Sequence, residues 1–266
     1  MMAILESRTK TGISWVKEAV ALFKTNPARW MLLGLSYVAV FMMIPSIPGL
    51  QFFALVVILM WPVLLVFAIA LYRNADMQKQ QTLQEVFITI QPKIKSLVGL
   101  GAFCLTYGVL IGLLLNTDIQ SVLKVSQVKG VMTEPQAALV MEKMLPLLLK
   151  VLLLSAPLLM ATWFSPMLIA FNNYSVIKAI KSSIAGSIQH MVALGAAWLL
   201  LTAGIVLVMI PAGMLVAVVS LAQANLGNVM AQLLVFAVLL LATTLMLAFQ
   251  YVSYRDVFRA AGVDKA

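Results

Sequence analysis

Residues 191–221 read MVALGAAWLLLTAGIVLVMIPAGMLVAVVSL, with no charged side chain. A helix needs about 20 mostly apolar residues to cross the hydrocarbon core of a bilayer, and this stretch exceeds that. Five others share its character, at about 30–50, 53–72, 96–115, 147–171 and 229–251. The whole chain agrees with them. It has 266 residues, of which 63% are hydrophobic and 10% charged, and its mean hydropathy is +1.04. Soluble domains run near half apolar and a quarter charged. A water-soluble fold cannot hide this much apolar surface, so the solvent is lipid. The expected fold class is all-α integral membrane, with six transmembrane helices in one polytopic domain over 1–266. Pro211 is expected to kink or end the fifth span early. Pro45 and Pro48 weaken the end of the first, and the SIPG turn at 46–49 closes it.

The net charge of +9 is explained by topology. Arg8, Lys10, Lys17, Lys24 and Arg29 precede the first span, and Arg73, Lys79, Lys93 and Lys95 follow the second. Lys178 and Lys181 follow the fourth, and Arg255, Arg259 and Lys265 follow the sixth. Fourteen of the eighteen basic residues thus fall on one side. The positive-inside rule makes that side cytoplasmic, with both termini there. The expected location is a bacterial inner (plasma) membrane. Anionic headgroups on the cytoplasmic side are the expected lipid partners, and nucleic acid is not needed to explain the charge. The other side has two nearly uncharged turns, around 46–52 and 222–228, and a longer loop, 116–146. The apolar run at the N-terminus starts late, at Trp30, and no small-residue cleavage site follows, so no cleaved signal peptide is read there.

Internal similarity suggests a repeated unit. Residues 24–34, KTNPARWMLLG, and 89–99, TIQPKIKSLVG, both run amide, Pro, basic residues, then an apolar run with Gly seven places after the Pro. Each odd-numbered span is preceded by an amphipathic stretch: Ile13, Val16, Val20 and Phe23; Leu83, Val86, Phe87 and Ile90; Ile177, Ile180, Ile184 and Ile188. Such helices are expected to lie in the headgroup plane with the apolar face down. Gly34, Gly99 and Gly195 mark the starts of the spans that follow. Tyr72-Arg73, Asn173-Tyr174 and Tyr254-Arg255-Asp256 mark the ends of the even spans. The predicted unit is an interfacial helix plus a two-helix hairpin, three times over: about 11–76, 82–174 and 175–258, with 116–146 as an extracytoplasmic insertion. The third copy has Ile188 where the others have Pro. Within the unit, Asn26 is a good N-cap for a helix beginning at Pro27, with Trp30 expected at the membrane interface.

The pattern Trp15, Ala21-Leu22-Phe23, Asn26-Pro27, Trp30, together with Tyr254-Arg255-Asp256-Val257-Phe258, resembles uncharacterised bacterial inner-membrane proteins of about this size. More distantly, the repeated hairpin is similar to YciC-like proteins and to the membrane domain attached to some glycerophosphodiester phosphodiesterases. The resemblance covers the chain in architecture through short motifs. It implies a polytopic helical membrane protein and no particular activity.

Chemistry is sparse. One His, His190, excludes a multi-histidine metal site and any Ser-His-Asp arrangement not built on it. One Cys, Cys104, excludes an intrachain disulfide and reads as a small packing residue. HExxH, CxxC, GxSxG and P-loop patterns do not occur. Glu6, Glu18, Asp76, Glu85, Asp256 and Asp264 read as solvated interface carboxylates balancing nearby Arg, although Asp76 and Asp256 could meet in space. No Asp or Glu lies inside a span, which argues against carboxylate-coupled ion transport. Lys150, in MLPLLLKVLLLSAPLLM, is the one possible intramembrane functional residue; the alternative is snorkelling to the outer headgroups. Gly101, Gly108 and Gly112 fall on one face of span three and are helix-packing candidates, internal packing being the default. Pro62, Pro157 and Pro166 could kink spans around a path, as in many transporters. In the outer loop, Val122, Val125 and Val128, then Ala137, Val140 and Met144, predict two short amphipathic helices split by Gly130 and Pro135.

The functional expectation is a non-enzymatic inner-membrane scaffold or adaptor in cell-envelope maintenance. It would have a protein partner in the envelope and no catalytic, cofactor-binding or metal-binding residues. The alternative is a transporter or flippase-type protein for a lipid or other amphipathic molecule.

Overall fold

A computed structural model describes residues 2–126 and 134–259, with side chains over 6–125 and 138–258. The described elements are helical: α1 (Met2–Thr25), α2 (Pro27–Val38), a π-helical turn (Ala39–Met43), α3 (Ile44–Ser46), α4 (Phe53–Asp76), α5 (Leu83–Ile90), a 3-10 turn (Gln91–Lys93), α6 (Ile94–Leu114), α7 (Asn116–Ser126), α8 (Glu134–Thr162), α9 (Ser165–Asn172), α10 (Val176–Gln189), α11 (Met191–Ala222) and α12 (Ala224–Arg259). Among the described residues six segments are long and apolar enough to cross a membrane: Pro27–Ser46, Phe53–Asp76, Leu83–Leu114, Ala138–Asn172, Met191–Ala222 and Ala224–Phe258. The protein is thus a multi-pass membrane protein, with the expected spans extended at several ends.

Local chemistry explains the boundaries. The side chain of Asn26 accepts from the Arg29 N–H at 3.2 Å, and Pro27 sits in the first turn of α2. Thr82 and Glu85 form a full capping box at the start of α5, satisfying two amides that a helix start leaves unpaired. The first span closes at Ser46, and Gly49 takes φ +87° in the turn, a conformation open to glycine and strained for other residues. Pro211 lies inside α11 without ending it. Between α11 and α12 only Gln223 is non-helical, so most of the expected 222–228 turn is helix. The fourth span breaks at Trp163–Phe164, just ahead of Pro166, while Pro157 stays within α8.

The bundle is built around α12, which packs against α1, α2, α4 and α11, while α4 packs against α6. Half of the most apolar window of α4 is buried, and none of that of α11. Hydropathy alone cannot produce this ordering, because lipid is as apolar as a Leu-lined interior and packing has to decide. Two of the close approaches at glycine meet a backbone carbonyl. A Cβ at Gly101 would lie 2.1 Å from the Leu59 carbonyl oxygen of α4, and one at Gly12 2.3 Å from the Ala193 carbonyl oxygen of α11. Gly108 and Gly112 have nothing within 4 Å of a built Cβ. Gly101 thus packs within the chain, while Gly108 and Gly112 of the GxxxG pair are exposed.

The three helices ahead of the odd spans differ from one another. In α1 the inward face is Gly12, Trp15, Val16, Ala19 and Leu22, packed on α11 and α12, so α1 is docked along the bundle and its Ile13 and Val20 are only half-buried. In α5, Val86 and Ile90 face α4 while Leu83, Phe87 and Ile88 are exposed. In α10 the small face Ala179, Ser183, Gly186 and Ser187 turns inward, and Ile177 and Ile188 are exposed. The outer loop also departs from expectation. α7 folds back on α8, and α8 is continuous from Glu134 through Pro146 into the span, so Val140 and Met144 belong to no separate helix. Val128 and Gly130 lie outside the described residues.

Candidate functional site: a polar clasp around Arg255

The ends of the even spans converge on α12. Its last turns carry Gln250, Tyr251, Ser253, Tyr254, Arg255 and Asp256, the densest polar run in an otherwise apolar helix. Arg255 is the hub. Its Nη1 donates to Asp76 Oδ2 of α4 at 3.0 Å. Its Nη2 donates to Glu18 Oε2 of α1 and, at 3.3 Å, to Asp256 Oδ1. Nε also reaches Asp256 Oδ1 at 3.3 Å. One guanidinium thus holds three carboxylates, one from the N-terminal helix, one from the end of the second span and one beside it in the chain. The fork of five donors on arginine permits this where a lysine would not.

Neutral donors hold the carboxylates from behind. Tyr251 OH donates to Asp76 Oδ2 at 2.6 Å, Trp15 Nε1 to Asp256 Oδ2 at 2.8 Å, and Ser14 Oγ to Glu18 Oε1 at 3.0 Å. The Arg255 side chain is 16% exposed, against 23% for Asp76, 37% for Asp256 and 40% for Glu18. The cluster carries a formal charge of −2 and lies at a boundary, buried at its centre and wet at its rim. Among the described residues no group of three or more His, Cys, Asp or Glu is placed to hold a metal ion. The three carboxylates are oriented on the arginine.

The clasp extends to the other spans. Tyr254 OH donates to Asn172 Oδ1 at the end of α9. Tyr72 OH donates to the Thr244 carbonyl at 3.0 Å, and Arg73 lies 4.8 Å from the Phe171 ring centroid. At the other end of α1, Arg8 donates to the Gln189 carbonyl at 2.6 Å. The broken fourth span is closed from the same helices. Phe164 N–H donates to Ser183 Oγ at 3.0 Å, and Gln250 Nε2 donates to the Trp163 carbonyl at 2.8 Å. These side chains satisfy backbone groups released where the helix stops, which a membrane interior otherwise leaves unpaired.

Several expected site residues change character. Trp30, expected at the membrane interface, is turned into the chain's own core. It is 1% exposed, stacked on Tyr72 with centroids 4.0 Å apart, and donates to the Leu22 carbonyl at 3.0 Å. The break at Asn26 redirects the chain so that α2 packs on α12, and the indole points inward. Lys150 pairs with both oxygens of Asp118 at 2.9 Å, which places its ammonium among the residues of α7. Asp76 and Asp256 are clasp members rather than solvated charges, and they meet through Arg255. Glu18, expected as a solvated carboxylate, and Trp15, expected only as part of a short motif, also join the clasp, as does Tyr251, for which no role was expected. The signal available for them was an i, i+3, i+4 face of Gly12, Trp15, Val16 and Ala19 that mixes small and aromatic residues, with Glu18 at its edge. No protein-family model, curated protein or solved structure matches the chain.

Proposed function

We propose that the protein is a non-enzymatic scaffold or adaptor in the inner membrane of a bacterium. In this reading the clasp end faces the cytoplasm and supports a protein partner in the envelope. The observation that carries it is Arg255 with Glu18, Asp76 and Asp256, because this cluster draws the N-terminal helix and the ends of two spans into one rigid platform. Beside it α5 exposes Leu83, Phe87 and Ile88, and α10 exposes Ile177 and Ile188. Amphipathic helices with such faces suit the headgroup layer of a membrane or the groove of a partner. The repeat of interfacial helix and hairpin would then present similar surfaces at successive positions, α1 having been withdrawn into the bundle.

The test is purification in native-lipid nanodiscs, comparing the parent with Phe87→Ser/Ile88→Ser and Ile177→Ser/Ile188→Ser. The expected result is a stoichiometric protein that is lost from at least one variant while insertion and thermal stability hold. Loss of function from Lys150→Met alone, with normal insertion, would overturn the reading.

One observation favours a transport reading. α2 packs on α12 rather than along α4, leaving a cleft of about 420 Å³ that runs from Arg29 past Leu33 and Tyr37 to Val40 and Phe41 in the π-helical turn. An acyl chain fits such an apolar cleft, with Arg29 at the headgroup end. A fluorescent-lipid translocation assay in proteoliposomes, with Ser36→Trp to fill the cleft, separates the two: translocation abolished by the variant supports transport, and absence of translocation by the parent removes it.

A further inference from the structure

Beyond the clasp, on the other side of the α4 terminus, the chain turns through Gln78 at φ +54° before α5 begins. The end of α4, this turn, α5 and Phe171 of α9 enclose a pocket of about 140 Å³. Its polar lining is Arg73, Asn74, Lys79, Gln81 and Thr89. Two of these are cations, and no carboxylate is among the described residues that line the pocket.

Asn74 makes the pocket more than a charged surface. It is 8% exposed, and among the described residues its Nδ2 is the buried side-chain polar atom with no hydrogen-bond partner. A buried donor left unpaired is costly, so a native structure that keeps one implies a ligand or a specific use. Rotation about χ2 presents either end of the amide to the pocket, donor or acceptor. The turn engages three carbonyls near the α4 terminus. Met77 N–H donates to Arg73 O at 3.0 Å, Gln78 N–H to Ala75 O at 3.2 Å and Lys79 N–H to Asn74 O at 2.8 Å. Thr89 Oγ1 already donates to the Glu85 carbonyl at 2.8 Å. Donors offered to a guest therefore come from Lys79 and the amides of Asn74 and Gln81, and Arg73 adds positive charge at the pocket wall. Phe171 holds the guanidinium of Arg73 in place.

We propose that this pocket binds a phosphate group, carried by a lipid headgroup or free in solution. A guanidinium, an ammonium and a neutral amide converging on one small space match the charge and the several acceptor oxygens of a phosphate. The exposed apolar residues of the adjoining α5, Leu83, Phe87 and Ile88, place the pocket where a headgroup would lie. The inference does not depend on the scaffold reading.

The experiment uses the full chain, with two probes. In a maltoside detergent, which carries no phosphate group, inorganic phosphate is titrated and the thermal midpoint recorded. In nanodiscs containing phosphatidylglycerol, native mass spectrometry counts the anionic lipids retained. Response to phosphate identifies a soluble ligand; retention of phosphatidylglycerol with no response to phosphate identifies a headgroup; both together show that the group itself is recognised. Lys79→Gln should weaken whichever response is seen by roughly tenfold, as expected for one lost charge-assisted hydrogen bond. Asn74→Leu should do the same where it folds. Lys93→Gln, a basic residue outside the pocket, should leave the response unchanged. The proposal is overturned if neither probe responds, if Lys79→Gln responds like the parent, or if Lys93→Gln loses as much as Lys79→Gln. The last result would mean general attraction to a basic surface.

Discussion

Replacing Arg255 with Gln tests the clasp most directly. The change keeps a polar side chain at the position and leaves three carboxylates facing one another. Its pair with Asp76, at 3.0 Å between side chains 16% and 23% exposed, contributes about 1.5–2 kcal/mol as a partly desolvated charge-assisted bond. The partners in the other two pairs, Glu18 and Asp256, are 40% and 37% exposed, so solvent screening limits each pair to roughly 0.5–1 kcal/mol. The total is about 3 kcal/mol, to which repulsion among the orphaned carboxylates adds in the same direction. At about 2–4 °C per kcal/mol for a chain of this size, the thermal midpoint should fall by roughly 6–12 °C. Tryptophan fluorescence in nanodiscs reads this directly, since Trp15 donates to Asp256. Scan rates must be matched, because irreversible unfolding makes the midpoint a rate. Asp76→Asn alone should cost less than Arg255→Gln, and the double mutant should show a coupling of about 1 kcal/mol or more. Arg255→Lys should recover only part of the loss, since an ammonium cannot serve three carboxylates in the geometry of a planar fork. A midpoint for Arg255→Gln within about 2 °C of the parent, or no coupling to Asp76, would refute the reasoning.

Three further outcomes are expected. Gly101→Ala should destabilise by about 2 kcal/mol or more, because its Cβ meets the backbone of Leu59 and helices must separate; Gly108→Ala and Gly112→Ala should be neutral or slightly stabilising, as measured by thermal unfolding. Lys150→Met should shift stability by less than about 1 kcal/mol, since its pair with Asp118 joins side chains 53% and 34% exposed; a larger loss would point to a role beyond that pair. Trp30→Leu should cost about 3 kcal/mol, from the lost stacking on Tyr72, the cavity left by the indole and its lost hydrogen bond to the Leu22 carbonyl, and proteolysis of the α1–α2 junction should rise with it.

Much of the architecture was legible along the chain. Six spans, the Asn26 cap, the turn at Gly49 and a helix ahead of each odd span all follow from local signals. Apolar length, a capping side chain and a glycine-dependent turn act within a few residues and need no partner. The orientation of helix faces did not follow. In α10 the isoleucines form the apolar stripe, yet it is Ser183 and Gly186 that face the bundle. In α6 the GxxxG pair looks like a contact, yet Gly101 is the one that touches α4. The reason is the solvent. In water an apolar face is driven inward, but in lipid both sides of a helix are equally welcome to apolar groups, and close packing and hydrogen bonding choose the inner one. The clasp was beyond sequence reasoning for a second reason. Glu18, Asp76 and Arg255 sit far apart in the chain, each beside residues of ordinary interfacial type, and only the docking of α1 on α12 and α12 on α4 brings them within reach. The sequence by itself determined that this chain carries six helices long and apolar enough to cross a membrane and where several of them start, because those depend on local apolar length and caps. The tertiary structure alone decided which polar groups meet, because in a lipid-facing bundle that depends on how the helices pack.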